Sequence, residues 1–236
     1  MNATEPTATG QAEPRRPDPA QPAEPAASGS GGVSPRVAIP TGNTFDKYGS
    51  ANPVVKRLMG GFHGTLDELW AKAAPESILD VGCGEGVLTV EWAQRLGEGR
   101  VVGTDLDDPK LRAEWEKRSR PNLEFRTEEA TSLSFADNEF DLACAIEVLE
   151  HVPEPQATVA EMARVARRHL LVSVPREPLW RGLNVARGAY LRELGNTPGH
   201  VNHWSKAAFV SLLSRHGTVE EARSPFPWTM LLVRVH

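Results

Sequence analysis

The chain has 236 residues, 40% of them apolar and 24% charged, with a net charge of −5 and two cysteines, which suits one substantial core rather than two. No apolar run approaches the roughly 18 residues needed to cross a bilayer. Pro6, Pro14, Pro17 and Pro19 stand where a signal peptide would need its apolar segment, and Arg15-Arg16 leads into Pro-Asp-Pro, so no secretory signal is expected. Cys83 and Cys144 lie far apart with no CxxC pattern, which argues for reduced thiols, against a zinc knuckle, and for a cytoplasmic protein. The acidic balance offers no general attraction to nucleic acid.

Residues 1–40 carry eight of the nineteen prolines, a Ser-Gly-Ser-Gly-Gly run and no aromatic residue, a composition expected to be disordered because it cannot offset its ordering entropy. A folded domain is predicted over 41–236. Asn52-Pro53 reads as a helix cap with proline at the first position, and Val54, Val55, Leu58, Met59, Phe62, Leu66 and Leu69 recur at helical spacing. A helix over 53–73 follows, with Gly60-Gly61 as a candidate kink. Ser77 to Val81 predicts a strand, Val87 to Leu96 a helix stopped by Gly97, and Arg100 to Asp105 a second strand. A helix capped by Asp108 comes next, then strands at 122–126 and 140–145, a helix from Pro155, and the strand Leu170 to Val174. The helix from Pro155 is expected to reach about Val165, with Arg164-Val-Ala-Arg-Arg-His169 leading out of it toward the next strand.

Strands alternating with helices imply a parallel sheet covered on both faces, an α/β fold of three layers. The final elements break the alternation. Ser205 caps a helix to about His216, and two strands near 218–223 and 229–235, joined through Pro225-Phe226-Pro227, must pair antiparallel.

The sharpest motif is Asp80-Val81-Gly82-Cys83-Gly84-Glu85-Gly86 between a strand and a helix, where glycines let the backbone approach a ligand at the carboxyl end of a sheet. The dinucleotide fingerprint would need its third glycine at Val87, so a pyrophosphate reading, and with it a nicotinamide-dependent dehydrogenase, fits poorly. Asp105 ends the second strand about twenty residues on, where a carboxylate can accept from both hydroxyls of a ribose. A glycine turn and a strand-end acid also arise as plain turn chemistry, and a protein that holds an adenosine cofactor without catalysis stays open.

Taken in order, Asp80-x-Gly82-x-Gly84-x-Gly86, Val-Val-Gly-Thr-Asp105, Glu129 to Asp141 and Glu147-Val-Leu-Glu150-His151-Val-Pro153 resemble the motifs of class I S-adenosylmethionine-dependent methyltransferases. The resemblance implies a Rossmann-like, mostly parallel sheet of seven strands with the last strand antiparallel. It also implies a cofactor site built from Asp80, Gly82, Cys83, Gly84, Gly86, Asp105, Leu106, Glu129, Ala130 and Glu147. Leu106 and Ala130 would flank the adenine, and Glu129 stands where the family usually has Asp. Phe45-Asp46-Lys47-Tyr48 is similar to segments that close over the cofactor, and reads equally as a staple on the first helix.

The E-x-x-E-H cluster resembles the metal motif of ubiquinone-biosynthesis O-methyltransferases and of small-RNA 2′-O-methyltransferases. It implies a divalent ion such as magnesium on Glu147, Glu150, His151 and a later histidine, His203 in first place and His200 behind it. The same string occurs in relatives without metal, where His151 serves as base or lines the pocket. The connection 175–204 is long enough to roof the substrate. Methyl transfer to an oxygen of a small or lipid-linked acceptor is the expectation, and the negative charge speaks against an RNA acceptor.

Overall fold

The computed structural model describes residues 52–236; the expectations for residues 1–40 and for Phe45 to Tyr48 lie outside the described residues. Helix α1 (Pro53–Ala73) begins where the Asn52 side chain accepts from Val54 N–H at 2.9 Å and proline takes the first helical position. It runs through Gly60 and Gly61 unbroken. Two interior glycines cost about 1 kcal/mol each, but Phe62, Leu66, Leu69 and Ala73 beyond them form one buried stripe, and burying a large apolar side chain contributes about 2 kcal/mol.

Strand β1 (Ser77–Val81), helix α2 (Val87–Leu96), strand β2 (Arg100–Asp105) and helix α3 (Pro109–Glu116) follow in alternation. Then come β3 (Leu123–Thr127), β4 (Phe140–Ile146), helix α4 (Pro155–Val165) and β5 (Ala166–Pro175). Within the 175–204 connection lies helix α5 (Leu179–Ala186), which the periodicity did not reveal; α6 (Lys206–Leu213), β6 (Gly217–Arg223) and β7 (Trp228–Val235) complete the chain.

The seven strands form one sheet in the order β3-β2-β1-β4-β5-β7-β6. The pairs among β1 to β5 are parallel, and β7 is antiparallel to both β5 and β6. The final hairpin therefore does not simply extend the edge: its second strand slots between β5 and its own partner, leaving β6 outermost. Side chains alternate between two cores, save across the register shift between Phe140 and Leu142. Ile78, Met230 and Leu232 join Phe62, Leu66 and Trp92 on the α1/α2 side, whereas Leu79, Leu231 and Val233 join Val159, Met162 and Phe209 on the α4/α6 side. The three-layer α/β architecture expected from the alternation is the one observed.

The helix α4 ends at Val165 as expected, but strand β5 begins earlier than predicted: Ala166 to His169 belong to it, ahead of Leu170. Ala166 already has extended backbone and pairs with Phe140, and a register shift follows before Leu142 meets His169. Arg167 is held in the strand by Asp141, whose Oδ1 accepts from its guanidinium at 2.6 and 3.1 Å. Among the described residues no helix is long and apolar enough to cross a membrane.

Candidate active site

Strand order reverses between β1 and β4, since β1 has β2 on one side and β4 on the other. Ligands of open α/β sheets sit at the carboxyl ends of strands at such a point. There a cleft of about 850 Å³ opens, lined by the loop after β1, the ends of β2 and β4, the amino-terminal half of α1, and α5.

The loop after β1 turns back under this cleft. Gly82 and Cys83 N–H both donate to Thr104 C=O, at 2.7 and 2.9 Å, and Gly86 N–H donates to Cys83 C=O. Gly82, Gly84 and Gly86 all have positive φ (72°, 56° and 79°), the left-handed region that other residues enter at a cost of about 1–2 kcal/mol. A Cβ on Gly84 would meet nothing within 4 Å, so the loop presents bare backbone to the space above it. Asp105 accepts from Gly84 N–H at 2.7 Å and from Leu106 N–H at 2.8 Å. Burial nevertheless raises its pKa, the two N–H donors opposing. Asp80 is buried and accepts from Thr89 Oγ1 at 2.7 Å, and burial pushes its pKa up to about 7. The Cys83 thiol is driven up by burial and by Asp80 and Asp105, so it is an inert lining group. Leu106, Glu129 and Ala130 complete this end of the cleft.

The other end holds the E-x-x-E-H cluster. Glu147 directly follows β4 with φ of 61°, an unusual conformation for a residue with a side chain. Its carboxylate accepts from Trp228 Nε1 at 2.7 Å and from Ser173 Oγ at 3.3 Å. His151 lies 3.0 Å through Nδ1 from Gly199 C=O. Since a carbonyl only accepts, Nδ1 carries a proton, and in the neutral imidazole the basic lone pair is then on Nε2. Its ring meets His200 edge-on at 4.9 Å, and His200 in turn stacks toward Trp180.

The structure gathers the metal-ligand candidates differently from the sequence reading. Glu150, His151 and His200 each offer a donor atom within 4.8 Å of the others, with Glu150 and His200 buried. Neither His203 nor Glu147 joins them. His203 is exposed with Nε2 2.7 Å from Asn196 Oδ1, and the Glu147 oxygens are engaged by Trp228 and Ser173.

Residues of 175–204 also line the cleft. Trp180 Nε1–H donates to Thr197 Oγ1 at 2.9 Å, and Asn184, the one buried residue of α5, donates to Gly195 C=O and Thr197 Oγ1. Trp180, Leu183 and Tyr190 from this segment line the cleft together with Leu58, Met59 and Phe62 of α1. Sequence reasoning did not select Trp228, Ser173 or the α1 residues for the site. For Trp228 a signal existed: an antiparallel final strand starts beside the end of β5, so its first residue, opposite Pro175, must lie at the ligand end of the sheet.

Sheet order, glycine loop and strand-end acid follow the pattern of class I S-adenosylmethionine-dependent methyltransferase domains. Residues 79–171 match the family model described as a methyltransferase domain. The chain is 37% identical over 129 residues to a demethylmenaquinone methyltransferase of Roseiflexus castenholzii, covering 49% of this chain and 54% of that protein. It is 37% identical over 93 residues to a ubiquinone biosynthesis O-methyltransferase of Hahella chejuensis, 38% of each. The chain thus spans about half the length, or less, of the curated relatives it matches. Among solved structures, magnesium protoporphyrin IX methyltransferase from Synechocystis with bound S-adenosylhomocysteine superposes with a TM-score of 0.57 at 21% identity, over 80% of this chain and 90% of that one, a likeness of fold.

Proposed function

We propose that the chain transfers a methyl group from S-adenosylmethionine to an oxygen of a small, largely apolar acceptor, a quinone precursor or other lipid-linked intermediate being the class in view. The residues present fit the cofactor: a bare-backbone loop, a strand-end acid for the ribose, and Leu106 and Ala130 for the adenine. Bound there, the sulfonium supplies an electrophilic methyl carbon. The chain's own part is to position the acceptor, exclude water and take its proton.

The observation that carries this reading is His151, whose Nδ1–H is fixed on Gly199 C=O in the cleft that holds the glycine loop. That bond selects the tautomer in which Nε2 can accept the acceptor's hydroxyl proton as the O–CH3 bond forms and the S–CH3 bond breaks. Trp180, Leu183, Phe62, Leu58 and Met59 give the acceptor side apolar walls. The names of the quinone-pathway relatives support a quinone-type acceptor but not one atom, since they include both an O-methyltransferase and a C-methyltransferase, so the oxygen rests on His151.

A second reading is favoured by the Glu150, His151 and His200 trio: a magnesium or similar ion held there would stabilise the developing oxyanion, and His151 would then be a ligand instead of a base. Titration with S-adenosylhomocysteine, with magnesium and again with a chelator, followed by turnover on hydroxyaromatic acceptors, tests both. Binding and turnover that ignore the chelator and collapse in His151→Gln support the base. Chelator-sensitive turnover supports the metal. Absence of S-adenosylhomocysteine binding in both buffers would overturn the methyltransferase reading itself.

A further inference from the structure

The glycine loop is braced from outside the cleft by two aromatic rings that belong to neither core cluster. Trp115, in the last turn of α3 and 8% exposed, donates Nε1–H to Gly84 C=O at 2.8 Å. Its ring stacks on Phe125 of β3 with centroids 5.2 Å apart and planes within 5°. Phe125 in turn fills the space above two glycines: a Cβ on Gly86 would fall 2.5 Å from its ring, and one on Gly103 2.8 Å. Gly84 is therefore gripped by both of its polar backbone groups, the N–H by Asp105 and the C=O by Trp115.

We propose that Trp115 is a positioning residue for the cofactor, acting through Gly84; the proposal rests on the reading of this cleft as an S-adenosylmethionine site. A purely space-filling role does not call for tryptophan, because phenylalanine or leucine would also pack on Phe125. What the indole adds is a donor aimed at one carbonyl, in a loop whose own backbone supplies a single internal bond, Gly86 N–H to Cys83 C=O. Without that donor the Gly84 carbonyl keeps only the weak contact from Cys83 Sγ at 3.7 Å, and the loop samples more conformations that must be reordered on binding. The same loosening reaches Asp105, since the Gly84 N–H is one of its two backbone donors.

The test is calorimetric titration of the full chain with S-adenosylhomocysteine, paired with urea unfolding without ligand, for the wild type, Trp115→Phe, and Trp70→Phe as an indole deletion outside the cleft. Trp115→Phe is expected to bind about three- to tenfold more weakly, the range of one lost hydrogen bond, with KM for S-adenosylmethionine raised and kcat unchanged. Trp70→Phe is expected to bind within twofold of the wild type whatever its urea midpoint. A Trp115→Phe protein that shifts only the urea midpoint and binds within twofold overturns the proposal. Should Trp115→Phe not fold, Phe125→Leu decides, because it keeps the donor and loosens the stack: weakened binding supports the brace and unchanged binding refutes it. A wild type that fails to bind S-adenosylhomocysteine removes the cofactor reading and the proposal together, an outcome distinct from a variant that binds as the wild type does.

Discussion

Gly82 and Gly84 share a backbone conformation but not an environment, so replacing each by alanine separates two physical costs. Both have positive φ, 72° and 56°, and an L side chain there costs about 1–2 kcal/mol, offset by about 0.4–1 kcal/mol from the stiffer unfolded chain. Gly84→Ala, whose Cβ meets nothing within 4 Å, should lose about 1 kcal/mol or less. Gly82→Ala adds a collision, since its Cβ would lie 2.6 and 2.7 Å from the two γ-methyls of Val148. A β-branched side chain has little rotamer freedom with which to withdraw both, and forced overpacking adds about 1–3 kcal/mol. Gly82→Ala should therefore be the less stable by about 2 kcal/mol in urea unfolding. Ligand binding should respond differently: Gly84→Ala puts a methyl on backbone that fronts the cleft, and S-adenosylhomocysteine affinity should fall at least about tenfold in a protein that is otherwise nearly as stable as the wild type. Equal destabilisation by the two substitutions, or undiminished affinity in Gly84→Ala, would refute the assignment of that surface to the cofactor.

Asp80 makes a pH-dependent prediction. Its folded pKa, raised to about 7 by burial, exceeds the ordinary 3.8, so between those values the folded chain holds a proton that the unfolded chain has released. Its contribution is complete below about pH 4 and declines as pH rises to about 7; Asp80→Asn should flatten that part of the profile in urea unfolding at pH 4.5, 6 and 8, and a profile parallel to the wild type's would count against it. Arg164 donates to Glu161, to Asp137 and to the carbonyls of Leu133 and Phe135, so Arg164→Met should cost about 1–3 kcal/mol by stripping donors from half-buried acceptors. A loss under about 0.5 kcal/mol would place it with ordinary surface ion pairs. Trp228→Phe keeps most of the buried ring and removes the donor to Glu147. It should lower stability by about 1–3 kcal/mol and reduce turnover more than S-adenosylhomocysteine affinity, and an unchanged kcat would dissociate Glu147 from the acceptor side.

The alternation of strands and helices was legible because it rests on local causes: caps at Asn52, Asp108 and Ser205 whose side chains do accept from the first-turn N–H groups, and apolar runs whose period reports burial on one face or both. The early start of β5 was not, because it rests on pairing of Ala166 with Phe140 of β4, distant in the chain. The cleft followed the same division. The glycine loop and Asp105 are contiguous motifs at strand ends, and they converge as their spacing implied. The choice between His200 and His203 depended on distant partners: Asn196 draws His203 outward, while His200 is buried between Trp180 and His151. Phe45 and Tyr48 lie outside the described residues and add nothing to the comparison.

The placement of β7 between β5 and β6 has a consequence for the order in which a growing chain becomes competent. The glycine loop, Asp105 and the E-x-x-E-H cluster all leave the ribosome well before residue 200, yet the indole that holds Glu147 belongs to a strand within the final ten residues of the sequence. Until that strand threads in, β5 lacks one neighbour and β6 has none. A nascent chain paused between Glu150 and Trp228 therefore has its glycine loop in hand but lacks the indole that holds Glu147. Assembly of the two ends of the cleft is separated in time, with the Trp228 end completed after the glycine loop.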